Sequence, residues 1–196
     1  DLCAEERYNG TLTGATLYHS AKLPFTFNYY AGNTDVSHAN AGSDHGTHVS
    51  SIAAGCDSSS RGVAYNAQII SMQVFQNGGA AWTEILAALE DCAWLEVDAL
   101  NMSLGSDNGF TQGEADMEEV FALLTAHGVN CAVAAGNSGE QNITMHIWAM
   151  RLLIAPLRWL ISGDDVYKHR SAAWARGLLS NRVSAMVVPP RAAARC

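Results

Sequence analysis

Basic residues are scarce along most of this chain. Residues 1–143 hold 3 Lys+Arg against 17 Asp+Glu, a net charge of −14, and the whole sequence carries −8. That excludes a general nucleic-acid binder, which needs a basic face for the phosphate backbone. Cysteine is sparse and unpaired in pattern. Cys3, Cys56, Cys92, Cys131 and Cys196 are scattered, odd in number and form no C-x-x-C pair. Neither a metal cluster nor a disulfide framework is expected from them. Cys92 and Cys131 read instead as small buried apolar residues. No long uninterrupted apolar run occurs. The nearest, 145–161, is broken by Pro156 and carries Arg151 and Arg158, which make a bilayer span costly. No basic segment followed by an apolar run opens the sequence, so no signal peptide is visible.

What is present is the composition of a globular protein. Apolar residues make up 48% of the 196 and charged residues 15%, enough for one domain with a real core. Residues 1–34 are polar and turn-rich, apart from an alternating patch at Leu23–Tyr29 that predicts a strand. From His45 the pattern predicts helices and strands in alternation. His45–Gly55 reads as a helix, with Asp44 at its start and Gly55 as its stop. Ala67–Phe75 is an apolar run suited to a buried parallel strand. Trp82–Leu95 has helical spacing, with Thr83 as a candidate cap. Val97–Leu104 is a short strand. Met117, Val120, Phe121 and Leu124 stripe the next helix, which Gly128 can end. Val129–Ala135 is a further buried strand. This order is met most simply by an α/β fold, parallel strands joined by right-handed helical crossovers. Active sites of such sheets gather at the carboxyl ends of strands. Two polar clusters fall there, Asn101–Gly105 and Gly136–Gly139.

The segment with most chemical content is Asp44-His45-Gly46-Thr47-His48-Val49. An imidazole in the first turn of a helix, followed by glycine and small residues, can approach a substrate and act as a general base near neutrality. Alone it would be read as a polar helix-start residue. His45 and His48 also form an i, i+3 pair, but without the glutamate of a metalloprotease helix, so no metal site is assigned.

The stretch resembles the histidine motif of the subtilisin-like serine proteases, and three further stretches follow in that family's order. Arg61-Gly62-Val63-Ala64-Tyr65-Asn66-Ala67 resembles the turn before the next strand, with Tyr65 where Pro is usual. Asp98–Gly105 resembles the substrate-binding strand, and Ala132-Val133-Ala134-Ala135-Gly136-Asn137-Ser138-Gly139 the oxyanion segment. The resemblance covers residues 22–142. The approach Gly32-Asn33-Thr34-Asp35-Val36 is most like the large cell-envelope subtilases of Gram-positive bacteria. The resemblance implies a three-layer α/β fold with a twisted, mainly parallel sheet flanked by helices, incomplete at both ends. It also implies a secreted or cell-envelope parent acting on extended polypeptide.

The resemblance implies roles residue by residue. His45 would be the general base and Asn137 the oxyanion donor. Ser103, Leu104 and Gly105 would pair with an extended peptide. Ala134, Ala135 and Gly136 would line the specificity pocket. Gly79 and Trp82 fall at the opposite substrate edge, Trp82 being equally well read as core. The rest of the triad is not found. No Asp-(Ser/Thr)-Gly segment lies upstream of His45, and no Gly-Thr-Ser nucleophile segment follows Asn137. The Asp is expected before residue 1, lost by truncation. The chain is therefore expected to be inactive or nearly so. A non-catalytic peptide-binding module is the alternative. No cofactor is expected. Structural calcium suits the parent enzyme, although the loop 56–61 is short and poor in carboxylates. Three Asn-x-Ser/Thr triplets, at Asn9, Asn101 and Asn142, read as chance.

Residues 1–143 are thus expected to be a partial catalytic domain. Residues 144–196 differ in kind, holding 8 Lys+Arg against 2 Asp+Glu and three of the five Trp. A shifted reading frame is the leading account of this tail. An amphipathic membrane-surface helix at 145–161 is the rival.

Overall fold

A computed structural model of the chain describes residues 2–37, 39, 42–105, 114–134 and 186–188. The elements in order are α1 (Cys3–Arg7), α2 (Gly14–Leu17), β1 (Phe25–Asn28), α3 (His45–Ala54) and β2 (Gln68–Gln73). They continue with α4 (Trp82–Trp94), β3 (Ala99–Met102), α5 (Glu114–Ala126), β4 (Asn130–Val133) and β5 (Met186–Val188). β1 and β2 pair in parallel, Phe25 opposite Ile70 through Asn28 opposite Gln73. β3 and β4 pair in parallel, Ala99 opposite Asn130 through Met102 opposite Val133. β5 pairs antiparallel with Gln68–Ile70 of β2.

The three layers follow from alternation along β2. Ile70, Met72 and Val74 point into the main core with Ile85, Ala88, Leu89 and Cys92 of α4. Ile69 points the other way, into a smaller cluster with Ala54 of α3, Ala67 and Leu23. α3 therefore covers one face of the sheet, while α4 and α1 cover the other. This is the expected α/β architecture. Phe27 is fully buried and stacks edge-on with Tyr29, ring centroids 4.9 Å apart, in a favourable aromatic geometry. α5 adds Met117, Phe121 and Leu124 to the same core, and Gly128 ends its turn at φ +74°.

Five expectations need correction. The polar opening segment contains two short helices, α1 and α2. α1 is tied down from afar: buried Asp91 of α4 accepts from the amides of Cys3 (2.6 Å) and Ala4 (2.9 Å) and from the Tyr29 hydroxyl (2.7 Å). Thr83 does not cap α4; the N-cap position is Ala81, with no side-chain cap bond. Asp44 occupies the N-cap position of α3 but caps nothing with its side chain. β4 is not buried on both faces. Asn130 and Ala132 are exposed, and Cys131 and Val133 half-buried, because no described element covers the first pair. Cys131 is accordingly only half-buried, whereas Cys92 is fully buried with its Sγ 3.5 Å from Met72 Sδ.

Among the described residues no helix is long and apolar enough to cross a membrane. The stretch 145–161 and all of the tail except 186–188 lie outside them.

Candidate active site

α3 is built from small polar residues, yet its backbone is held at both ends. Ser50 and Ser51 return their hydroxyls to the carbonyls of Gly46 (2.8 Å) and Thr47 (2.7 Å), the usual way for serine to sit inside a helix. At the amino end, Ser43 Oγ accepts from the amide of His45 at 3.2 Å, the job expected of Asp44. At the carboxyl end the orphan carbonyls of the last turn find donors in the following loop. Gly62 N–H donates to Gly55 O (2.8 Å), Val63 N–H to Ile52 O (3.1 Å) and Ala64 N–H to Ala53 O (2.8 Å). This explains the glycine of the Gly62-Val63-Ala64 motif. A Cβ at position 62 would lie 2.6 Å from the amides of Ala54 and Gly55 and 2.7 Å from Ser51 O.

His45 opens this helix and is buried, with 9% of its surface exposed. Its Nε2 is enclosed and has no hydrogen-bond partner among the described residues. Burial pushes the imidazole below its ordinary value, and the neighbouring His48 pushes it further, while Asp44 opposes both. Burial and His48 thus favour the neutral ring, the state a proton acceptor needs. His48 is exposed.

Ser103, Leu104 and Gly105 leave the carboxyl end of β3 where Ala134 leaves β4. The Ala134 amide donates to Met102 O at 2.9 Å, so the two segments emerge side by side. The Asn101 side chain donates to Ser103 Oγ at 2.9 Å. Gly79 closes a tight turn in which Gln76 and Gly79 exchange backbone bonds of 2.9 and 3.1 Å. Asn77 and Gly78 at its centre have φ +51° and +82°, as a primed hairpin turn requires. Trp82 begins α4, half-buried against the main core. Ala135, Gly136 and Asn137 lie outside the described residues. In the loop 56–61 the one carboxylate, Asp57, already accepts from the Ser59 amide and hydroxyl. Those residues do not fit a calcium site.

One polar group was missed by the reading of the sequence. Gln73 is only 3% exposed. Its amide nitrogen donates to Phe75 O at 3.0 Å, while its Oε1 is buried without a partner among the described residues. It borders a cleft of ≈ 740 Å³ between α3 and β2, with Gly46, Thr47 and Ser50 on the helix side and Ile69 and Ser71 on the strand side. Gln73, one of two glutamines in the apolar run Ala67–Phe75, was the signal available.

Comparison with known proteins agrees with this arrangement. The subtilase family model matches residues 16–150. The PII-type proteinase of Lacticaseibacillus paracasei is 35% identical over 136 residues, covering 63% of this chain and 7% of that protein. Subtilisin DY of Bacillus licheniformis is 31% identical over 103 residues, covering 51% of this chain and 36% of that protein. Tripeptidyl-peptidase 2 of Drosophila melanogaster is 35% identical over 113 residues, covering 53% and 8%. The chain thus spans about 7% of the length of the first of these relatives. No solved structure gives a significant match. With more than half of its length matched by the family model, and with the helix–strand order that model implies, the chain belongs to the subtilase family.

Proposed function

We propose that this chain is part of a secreted or cell-envelope serine endopeptidase that hydrolyses peptide bonds through an acyl-enzyme. In this reading His45 takes the proton of a serine nucleophile and later returns it to the leaving amine. Asn137 donates its side-chain amide to the tetrahedral oxyanion. Ser103, Leu104 and Gly105 hold the substrate backbone as one strand holds another, and Ala134, Ala135 and Gly136 leave room for a substrate side chain. Gly79 and Trp82 bound the opposite edge.

The observation that carries the reading is the state of His45. It sits at the first turn of α3, enclosed, with no partner for its Nε2 among the described residues and a proton affinity lowered by burial. A structural histidine at that burial would normally have both ring nitrogens satisfied. The names of the relatives, a proteinase and a subtilisin, support the same reaction class.

The chain by itself is proposed to be inactive, because neither a nucleophile segment nor a triad Asp segment occurs in its sequence. A fluorophosphonate probe tests this on the 196-residue chain. No covalent adduct is expected by intact-mass analysis. A stoichiometric adduct on any serine would show that a nucleophile is present after all.

A further inference from the structure

α1 holds α4 at two places. Its amino end is bound by Asp91. Its last residue, Arg7, reaches Thr83 and Glu84, and Glu84 lies seven positions before Asp91 on the same face of α4. Arg7 Nη2 donates to Thr83 O at 3.0 Å, and Nη1 lies 3.5 Å from Glu84 Oε1. The two charged side chains are largely covered, 29% and 15% exposed. The Arg7 carbonyl is fixed as well, for a Cβ on Gly32 would lie 2.5 Å from it. The place that Arg7 grips is the least secure part of α4. Ala81 gives the first turn no side-chain cap, and the Ile85 amide reaches Ala81 O only at 3.4 Å. Glu84, at the third helical position, is placed to reach back and cap this turn. It faces Arg7 instead, and its Oε2 is buried without a partner among the described residues.

We propose that Arg7 is a positioning residue for the substrate edge formed by Gly79 and Trp82. By holding the first turn of α4 it orders that edge, and so sets the affinity for an extended peptide. The inference deepens the peptidase reading and rests on its assignment of Gly79 and Trp82. Without the guanidinium, the Glu84 carboxylate is covered and has no cationic partner among the described residues. A covered, unpaired carboxylate is costly and turns out toward water. The uncapped turn moves with it, and Trp82, its first residue, loses its fixed place against the main core. Residues at the start of the chain thereby tune a peptide-binding edge that begins 72 positions later, at Gly79.

The probe is the fluorescein-labelled peptide Thr-Val-Ala-Leu-Ala-Lys, titrated by anisotropy against the full chain, Arg7→Met and Arg7→Lys. Met keeps the apolar stem and loses the donors; Lys keeps a charged donor. Arg7→Met should bind the peptide roughly three- to tenfold more weakly, the worth of one partly exposed hydrogen bond, and Arg7→Lys should recover most of the loss. Unchanged affinity in Arg7→Met means that the stem merely packs and overturns the proposal. Equal loss in both variants overturns it too. Amide exchange separates positioning from general stability. In Arg7→Met, exchange at Gly79 and Ile85 should quicken while that of Gln68–Gln73 and Ala99–Met102 stays as it was. Faster exchange throughout the chain overturns the proposal. The same measurement tests the reading beneath it, since bound peptide should slow exchange at Gly79 and Ile85 in the unaltered chain. A peptide that does not bind, or protects Ser103–Gly105 alone, removes the edge assignment and the inference with it. Protection of Gly79 and Ile85 with equal affinity for Arg7→Met removes the inference alone.

Discussion

At the scale of the residue, His45 carries a pH signature of its own. Burial lowers its proton affinity in the fold, so the unfolded chain holds the proton more tightly. Stability is then full above the ordinary imidazole value of about 6.5. It is lost progressively as pH falls through that value toward the lower folded one, because the unfolded state takes up the extra proton. Between about pH 7 and pH 5, the melting temperature of the chain should fall more steeply than that of His45→Gln. Parallel slopes for the two proteins would mean that the imidazole is not desolvated. The sequence announced this histidine through its neighbours, glycine at 46 and small residues after it. It did not announce Gln73, because a strand's polar residue shows its burial only once both faces are packed. It pointed to Asp44 at the start of α3, whereas Ser43 takes the first amide. Both are good capping residues, and the backbone of Asp44, at φ −91° and ψ 2°, decided the matter.

At the scale of the element, the long periodic segments were the legible ones. α3, β2, α4, β3, α5 and β4 fall where apolar spacing and, for α3, end signals placed them; the starts of α3 and α4 match and no end is shifted by more than three residues. α1 and α2 escaped notice because they are five and four residues long and show no apolar period. Their stability is imported from elsewhere, apart from the Thr13 side chain, which caps α2. α3 is the instructive case, since its last-turn carbonyls are satisfied by a loop rather than by a cap. Gly62 is required there for want of space, not for an unusual dihedral. Gly62→Ala should cost about 1–3 kcal/mol, the usual penalty of overpacking, read as a lower urea midpoint at unchanged slope. A neutral substitution would mean that the loop 62–64 does not close on the helix.

At the scale of the whole molecule, Asp91 joins three parts of the chain. Its carboxylate is fully buried and takes donors from α1 and from the residue after β1. Burial raises its proton affinity more than those hydrogen bonds lower it. The same carboxylate adds to burial in pushing the Cys3 thiol up to about 12 and the Tyr29 phenol well above its ordinary value. Asp91→Ala strands two amides and a hydroxyl and should cost about 3–5 kcal/mol, measured by urea unfolding. A loss below about 1 kcal/mol would mean that the opening segment is not docked. None of this was readable in the sequence, where Asp91 is one acidic residue among many on an amphipathic helix. The partners lie 88, 87 and 62 residues earlier. α1 therefore cannot gain these bonds until α4 has emerged from the ribosome, and synthesis leaves it waiting for an anchor made much later.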